Sequence, residues 1–255
     1  MTGLRIAVVQ HDIVWESRAE TLARLEPVVA GAAGAGARLV VLSEMFAVGF
    51  SMNVTLTAED EDGPTTSWLV EHAARRDAWI CGTLPVRVPG EQLPFNTLVL
   101  ASPDGEVHRY RKIHPFTYGG ERDAFSAGKD VITVEVDGVR VTPFVCYDLR
   151  FADVFWEAAA ATDMYVVPAN WPEARRRHWS ALLVARAIEN QAYVVGCNRV
   201  GSGGRLTYVG DSAVVSPMGD VLASAAEVET TLLVDIDTAN VAAVRDRFPF
   251  HADRR

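Results

Sequence analysis

The stretch Leu39-Val40-Val41-Leu42-Ser43-Glu44 is a short apolar run that ends on a hydroxyl and a carboxylate. A run of branched residues bounded by turn residues predicts a strand, here 39–43, with Glu44 delivered at its carboxyl end. Just upstream, 17–35 is rich in alanine, and Leu22, Leu25, Val28 and Val29 recur at helical spacing. A helix that feeds a strand ending on a polar side chain is the repeating unit of an α/β fold.

The same rhythm extends in both directions. Strands are predicted at 5–10, 39–43, 79–84, 97–101, 132–136, 139–145, 164–168, 193–198, 211–216 and 231–235. Helices are predicted at 17–35, 65–76, 151–161, 173–190 and 238–245, the fourth with Trp179, Leu182, Leu183 and Ala187 on one face. Between 79 and 145 the strands follow one another through hairpin-like turns at Pro103-Asp104-Gly105 and Asp137-Gly138. That pattern predicts mixed parallel and antiparallel pairing. The glycine-rich run from Gly31 to Gly36 precedes a strand instead of following one, so it reads as a helix end and not as a phosphate loop.

Composition bounds the rest. The chain has 255 residues, 49% of them hydrophobic, and 24 Lys+Arg against 33 Asp+Glu give a net charge of −9. With roughly 100–200 residues per domain as the usual range, residues 1–255 are expected to form a single domain. A charged fraction of 22% does not suit a disordered chain. The acidic balance argues against a nucleic-acid partner or an anionic membrane. No apolar run approaches the roughly 18–20 residues needed to span a bilayer. The stretch from Arg5 to Gln10 is too short for a signal-peptide core and has no cleavage site after it, so a cytoplasmic location is expected. Cys81, Cys146 and Cys197 are odd in number and far apart, which excludes a disulfide framework and a Cys-x-x-Cys pair. Cys81 and Cys197 lie in apolar runs and read as packing thiols. The six histidines form no i,i+4 ligand pair, and no metal or cofactor is expected.

Strands that end on polar residues locate candidate chemistry. The strand at 139–145 delivers Cys146, and the one at 164–168 leads to Asn170. Carboxyl ends of strands aim side chains into a shared crevice, although Glu44 or Cys146 alone would pass as an ordinary strand-edge residue. A third element is the basic stretch Arg109-Tyr110-Arg111-Lys112, which is expected to open an irregular segment of about fifteen residues. Glu, Lys and Cys together supply a base, a cation and a nucleophile, the parts of an acyl-transfer site.

With those residues in view, three stretches resemble the catalytic boxes of the nitrilase superfamily of carbon–nitrogen hydrolases. They are Leu42-Ser43-Glu44-Met45-Phe46, Tyr110-Arg111-Lys112-Ile113-His114 and Phe144-Val145-Cys146-Tyr147-Asp148-Leu149-Arg150-Phe151. They stand in the family's order, with 68 and 34 residues separating Glu44, Lys112 and Cys146. The similarity runs from Ile6 to the Pro217-Met218-Gly219 segment. Within the superfamily, the stretches from Glu44 to Met52, Asn170-Trp171-Pro172-Glu173 and Ala185 to Tyr193 resemble the ω-amidase branch, which acts on 2-oxo acid ω-amides. Two departures from that branch are Ala152 after Arg150-Phe151 and the sequence His114-Pro115-Phe116, the second of which bears on the substrate lid.

The resemblance implies an αββα sandwich of two mixed β-sheets flanked by helices, assembled as a homodimer. It implies Cys146 as nucleophile, Glu44 as general base and acid, and Lys112 with the Tyr147 backbone N–H as oxyanion donors. Glu121 matches a second family glutamate that orients Lys112, or else it is a loop carboxylate in solvent. The substrate would be a small-molecule amide. For its carboxylate the candidates are Arg150 and the Arg175-Arg176-Arg177 run, while Phe116 and Trp171 are either pocket walls or core residues. The alternatives are another activity of the superfamily (carbamoyl-amidase, aliphatic amidase or nitrilase) and a catalytically idle binding or scaffold member.

Overall fold

The computed structural model describes residues 3–253; residues 1, 2, 254 and 255, the ends of the expected 1–255 domain, lie outside the described residues. In chain order the elements are β1 Gly3–Gln10, α1 Arg18–Gly34, β2 Leu39–Val41, α2 Val54–Thr57, β3 Glu59–Asp60, α3 Pro64–Arg76 and β4 Trp79–Arg87. There follow β5 Phe95–Ala101, β6 Val107–Arg111, α4 Glu121–Ala124, β7 Val134–Val136, β8 Val139–Pro143, α5 Ala152–Ala158 and β9 Met164–Ala169. The last are α6 Arg176–Asn190, β10 Tyr193–Asn198, β11 Val200–Gly203, β12 Leu206–Val215, β13 Val221–Ala226, β14 Thr230–Asp237 and α7 Thr238–Arg247.

The strands form two seven-stranded sheets. One runs β14-β1-β2-β4-β5-β6 with β3 also pairing β4; the other runs β11-β12-β10-β9-β8-β7 with β13 also pairing β12. Each sheet has a parallel centre, β1-β2-β4 in the first and β8-β9-β10 in the second, extended by antiparallel neighbours. Mixed pairing is therefore the rule throughout. The β7–β8 turn consists of Asp137 and Gly138, both at positive φ (47° and 86°), the two-residue geometry that follows the twist of a hairpin.

Alternation along the strands assigns the layers. Leu4, Ile6 and Val8 of β1, Leu39 and Val41 of β2, and Leu98 and Leu100 of β5 pack against the second sheet. The intervening Ala7, Val9, Val40 and Val99 pack instead with Leu25 and Val29 of α1 and Leu69 and Ala73 of α3. The second sheet is covered on its far side by Phe155 of α5 and by Trp179, Leu183 and Ala187 of α6. The result is helix, sheet, sheet, helix, the expected αββα sandwich.

Several local expectations change. Residues 109–111 of the basic stretch are the end of an edge strand, β6, and the irregular segment opens only at Lys112. Tyr110 is buried, while Arg109 and Arg111, on the other face, pair with Asp62 and Glu61. Besides β6 and the two-residue β3, two strands escape the sequence, β11 and β13. Their composition, Val-Gly-Ser-Gly and Val-Leu-Ala-Ser-Ala-Ala, carries little intrinsic strand signal, and pairing with β12 holds them extended. For the same reason β12 begins at Leu206, five residues before the expected 211. The Gly31–Gly36 run does end α1, with Gly36 at φ 87°.

Candidate active site

Cys146 lies just beyond β8. Phe144 still donates to Val166 O of β9, and the chain then bends through Cys146, whose φ of 46° is left-handed, into the 3₁₀ turn Cys146–Arg150. A residue with a Cβ in that region costs on the order of 1–3 kcal/mol and persists only where its surroundings hold it. Asp148 does the holding. Its Oδ2 accepts from Val145 N at 3.0 Å and from the Tyr110 hydroxyl at 2.8 Å, and its Oδ1 accepts from His114 N at 2.9 Å. Tyr110 and His114 flank Lys112, so one buried carboxylate fixes the Cys146 turn and the Lys112 segment together.

Glu44 leaves β2 through a similar bend: Met45 has φ 43°, and its N–H donates to Thr83 Oγ1 of β4 at 2.8 Å. Lys112 follows β6, with its backbone N–H on Asn96 O at 2.9 Å. Glu121 starts α4 directly after Gly120, which has φ 76°. These three charges meet with almost no solvent contact, at 0%, 1% and 0% exposure for Glu44, Lys112 and Glu121. Lys112 Nζ is 2.9 Å from Glu44 Oε1 and 2.8 and 3.1 Å from Glu121 Oε2 and Oε1. Asn96 Nδ2 donates to Glu44 Oε1 and to Glu121 Oε1, each at 2.9 Å, and its Oδ1 accepts from Thr83 Oγ1 at 2.8 Å. Glu44 Oε2 accepts from Asn170 N at 2.8 Å, and Glu121 Oε2 from Phe116 N at 2.6 Å.

Charge state follows from this packing. Burial opposes a charge on Lys112, but the carboxylates of Glu121 and Glu44 outweigh it and hold the ammonium above its usual range. Burial raises Glu121; Lys112 counters part of the rise and the charge on Glu44 adds to it. Burial also pushes the Cys146 thiol well up, and Glu44, which it hydrogen-bonds, pushes it further, against the pull of Lys112. The resting sulfur is therefore a protonated thiol in contact with a carboxylate, an arrangement for proton transfer at the moment of attack. Among the described residues no group of three or more His, Cys, Asp or Glu side chains converges as metal ligands do.

Cys146 opens into a cavity of about 170 Å³ whose wall includes Tyr147, Phe116, Trp171, Arg150 and Arg175. The candidate substrate contacts Phe116, Trp171, Arg150 and Arg175 thus line one space, while Arg176 and Arg177 do not. Arg176 is turned away: it makes a two-pronged pair with Asp211 at 2.9 and 2.8 Å and reaches Glu227 at 3.3 Å. Neighbours on a helix start point about 100° apart, which separates Arg175 from Arg176. Glu121 is a buried partner of Lys112 and not a carboxylate in solvent. Cys81 and Cys197 are buried and apart from the cavity, as packing thiols should be. Sequence reasoning missed Asn96, Asp148, Tyr208 and Arg205. Asn96 and Asp148 are single polar residues among apolar neighbours, a signal that identifies a buried hydrogen-bond hub only once partners are known.

Comparison with known proteins points to one family. Residues 5–246 match the family model described as Carbon-nitrogen hydrolase. The chain is 38% identical over 255 residues to the omega-amidase YafV of Escherichia coli strain K12, covering 99% of this chain and 97% of that protein. It is 32% identical over 254 residues to the 2-oxoglutaramate amidase of Bacillus subtilis strain 168, covering 98% and 97%. Among solved structures, XC1258 of Xanthomonas campestris, a CN-hydrolase superfamily protein with an arsenic adduct in its active site, superposes with a TM-score of 0.95 at 38% identity, over 100% of this chain and 98% of that one. The chain therefore belongs to the carbon–nitrogen hydrolase family of the nitrilase superfamily, and is a hydrolase of carbon–nitrogen bonds other than peptide bonds.

Proposed function

We propose that this hydrolase is an ω-amidase, cleaving the terminal amide of 2-oxoglutaramate or 2-oxosuccinamate to the dicarboxylate and ammonia. The observation that carries the reading is the pairing of a buried Glu44–Lys112–Glu121 array beneath Cys146 with a small cavity walled by arginines. An array of that kind attacks an amide, and cationic walls favour an amide that bears a carboxylate. The relatives named as an omega-amidase and a 2-oxoglutaramate amidase support it. Residues 1–255 act as one carbon–nitrogen hydrolase domain, working as a cytoplasmic homodimer.

In the reaction, Glu44 takes the thiol proton as Cys146 Sγ bonds to the amide carbon. The electron pair of the carbonyl moves to oxygen, where Lys112 Nζ and the Tyr147 N–H receive it. Lys112 has three donors and two carboxylate partners, so the hydrogen on the 3.1 Å contact to Glu121 can swing to the oxyanion. Collapse breaks the carbon–nitrogen bond, and Glu44 returns its proton to the departing ammonia. The thioester on Cys146 is then attacked by water that Glu44 deprotonates, and the same proton returns to sulfur as the acid leaves. Glu121 holds Lys112; Phe116 and Trp171 flank the acyl chain, and Arg150 and Arg175 add positive charge to the same wall.

Ammonia release, as kcat/KM, across 2-oxoglutaramate, succinamate, glutamine, a carbamoyl-amino acid and an aliphatic nitrile tests the substrate class. Preference for the first two is expected. A higher value for the carbamoyl compound or the nitrile would leave the catalytic array in place and reject the ω-amidase reading.

A further inference from the structure

The reaction scheme leaves one part of the cavity wall unused, the hairpin between β11 and β12. Gly203 pairs with Leu206, so the loop is the dipeptide Gly204-Arg205. Gly204 has φ 59° while Arg205 lies outside the left-handed region, the pattern of a tight hairpin turn with glycine at its first central position. The base of the turn is clamped. The Arg199 side chain is fully buried and donates to Val200 O at 3.0 Å, Ser202 O at 2.9 Å and Asp12 Oδ1 at 2.5 Å. Its guanidinium lies 4.7 Å from the ring centroid of Tyr208, another wall residue. A Cβ on Gly203 would sit 2.9 Å from the Trp15 ring and 2.7 Å from Arg199 Nη1, so both side chains pack directly on the turn backbone. A turn held in this way presents its tip from a fixed point.

Three arginines line the cavity, Arg150, Arg175 and Arg205, and they are not equivalent. Arg150 donates to His178 Nδ1 at 3.1 Å and stacks 4.8 Å from the Trp171 ring. Arg175 lies 5.2 Å from the Phe116 ring. Arg205 has no hydrogen bond, ion pair or ring contact with any described residue, in a chain where 33 carboxylates outnumber 24 Lys+Arg. An uncommitted guanidinium on a rigid turn at the mouth of a catalytic cavity is poised to take a carboxylate through two parallel N–H···O bonds. We infer that Arg205 selects substrates carrying a carboxylate at the end remote from the scissile amide. The inference rests on the amidase reading above and adds to it the residue that sets acid selectivity.

The test compares wild-type protein with Arg205→Met, which keeps side-chain length, and Arg205→Lys, which keeps charge. Steady-state ammonia release is measured with 2-oxoglutaramate, succinamate and butyramide, a neutral amide, and 2-oxoglutarate is titrated as a competitive inhibitor. In R205M the ratio of kcat/KM for the acidic amides over butyramide is expected to fall about tenfold or more, through KM. The 2-oxoglutarate inhibition constant rises by a similar factor, and R205K recovers part of both. An unchanged ratio in R205M, with wild type still preferring the acidic amides, overturns the Arg205 assignment and leaves the amidase reading intact. A loss that falls equally on butyramide overturns it too, because the turn would then be structural. If wild type shows no preference for the acidic amides, the substrate class proposed above fails and the Arg205 assignment fails with it.

Discussion

Cys146 is a thiol that its surroundings keep protonated, which fixes how much work Glu44 and Lys112 must do. Burial and the nearby carboxylates disfavour a standing thiolate, so the sulfur becomes nucleophilic only as Glu44 accepts its proton. Cys146→Ala therefore abolishes ammonia release while the protein stays folded; surviving amidase activity would remove the nucleophile assignment. Lys112 has a different burden, because it meets charge that develops on the substrate oxygen. Lys112→Ala is expected to lower kcat about 100–1000-fold, the usual loss for an oxyanion donor. A variant in which KM rises and kcat is kept would make Lys112 a binding residue. Removing Lys112 also leaves two buried carboxylates facing each other, so one of them must take up a proton for the variant to fold.

At the scale of elements, Asp148 joins what the chain keeps far apart. It ties the turn after β8 to the segment after β6, and so sets Cys146 relative to Lys112. In Asp148→Asn one acceptor becomes a donor that faces donors. A loss of about 3 kcal/mol in urea unfolding is expected, together with lower kcat; unchanged stability would show that the buried carboxylate is not the clamp. Element ends also explain what was legible in the sequence. Glu44, Lys112 and Cys146 each stand just past the carboxyl end of a strand; for Glu44 and Cys146 an apolar run stops there on a polar residue, and for Lys112 the signal is the basic stretch that ends β6. Asn96 stands inside β5, beside Phe95 and Thr97, and its role comes from Thr83 on the opposite strand and from Glu44 and Glu121. Arg175 and Arg176 look alike in sequence; the start of α6 sends one to the cavity and the other to Asp211.

Over the whole molecule, the two sheets supply the site jointly. Glu44, Asn96 and Lys112 come from the first sheet, Cys146 and Asn170 from the second, so the site exists only while the sheets stay in register. The apolar runs of β1, β2 and β5 were readable as strands, although which of their residues face the other sheet was not; the strands at the far edge of the second sheet were not readable at all, since pairing and not composition makes them. One ion pair at the opposite edge gives a handle on this global stability. Asp163, just before β9, accepts from Arg140 of β8 at 2.9 and 2.7 Å, and from its backbone N–H at 3.1 Å. Burial alone would raise its carboxyl, but those hydrogen bonds and the charges of Arg140 and Arg245 hold it below the usual range. A carboxyl depressed on folding stabilises the folded state above its unfolded pKa, about 3.9, and loses that contribution as pH falls through the lower folded value. Arg140 is partly exposed, so the pair is worth about 1 kcal/mol. Asp163→Asn should then lower the urea midpoint by a constant amount at pH 6–8, and the gap to wild type should close as pH drops below about 4. A gap of the same size at pH 3 as at pH 7 would mean that the aspartate acts through shape alone and that its charge adds nothing to holding β8 against β9.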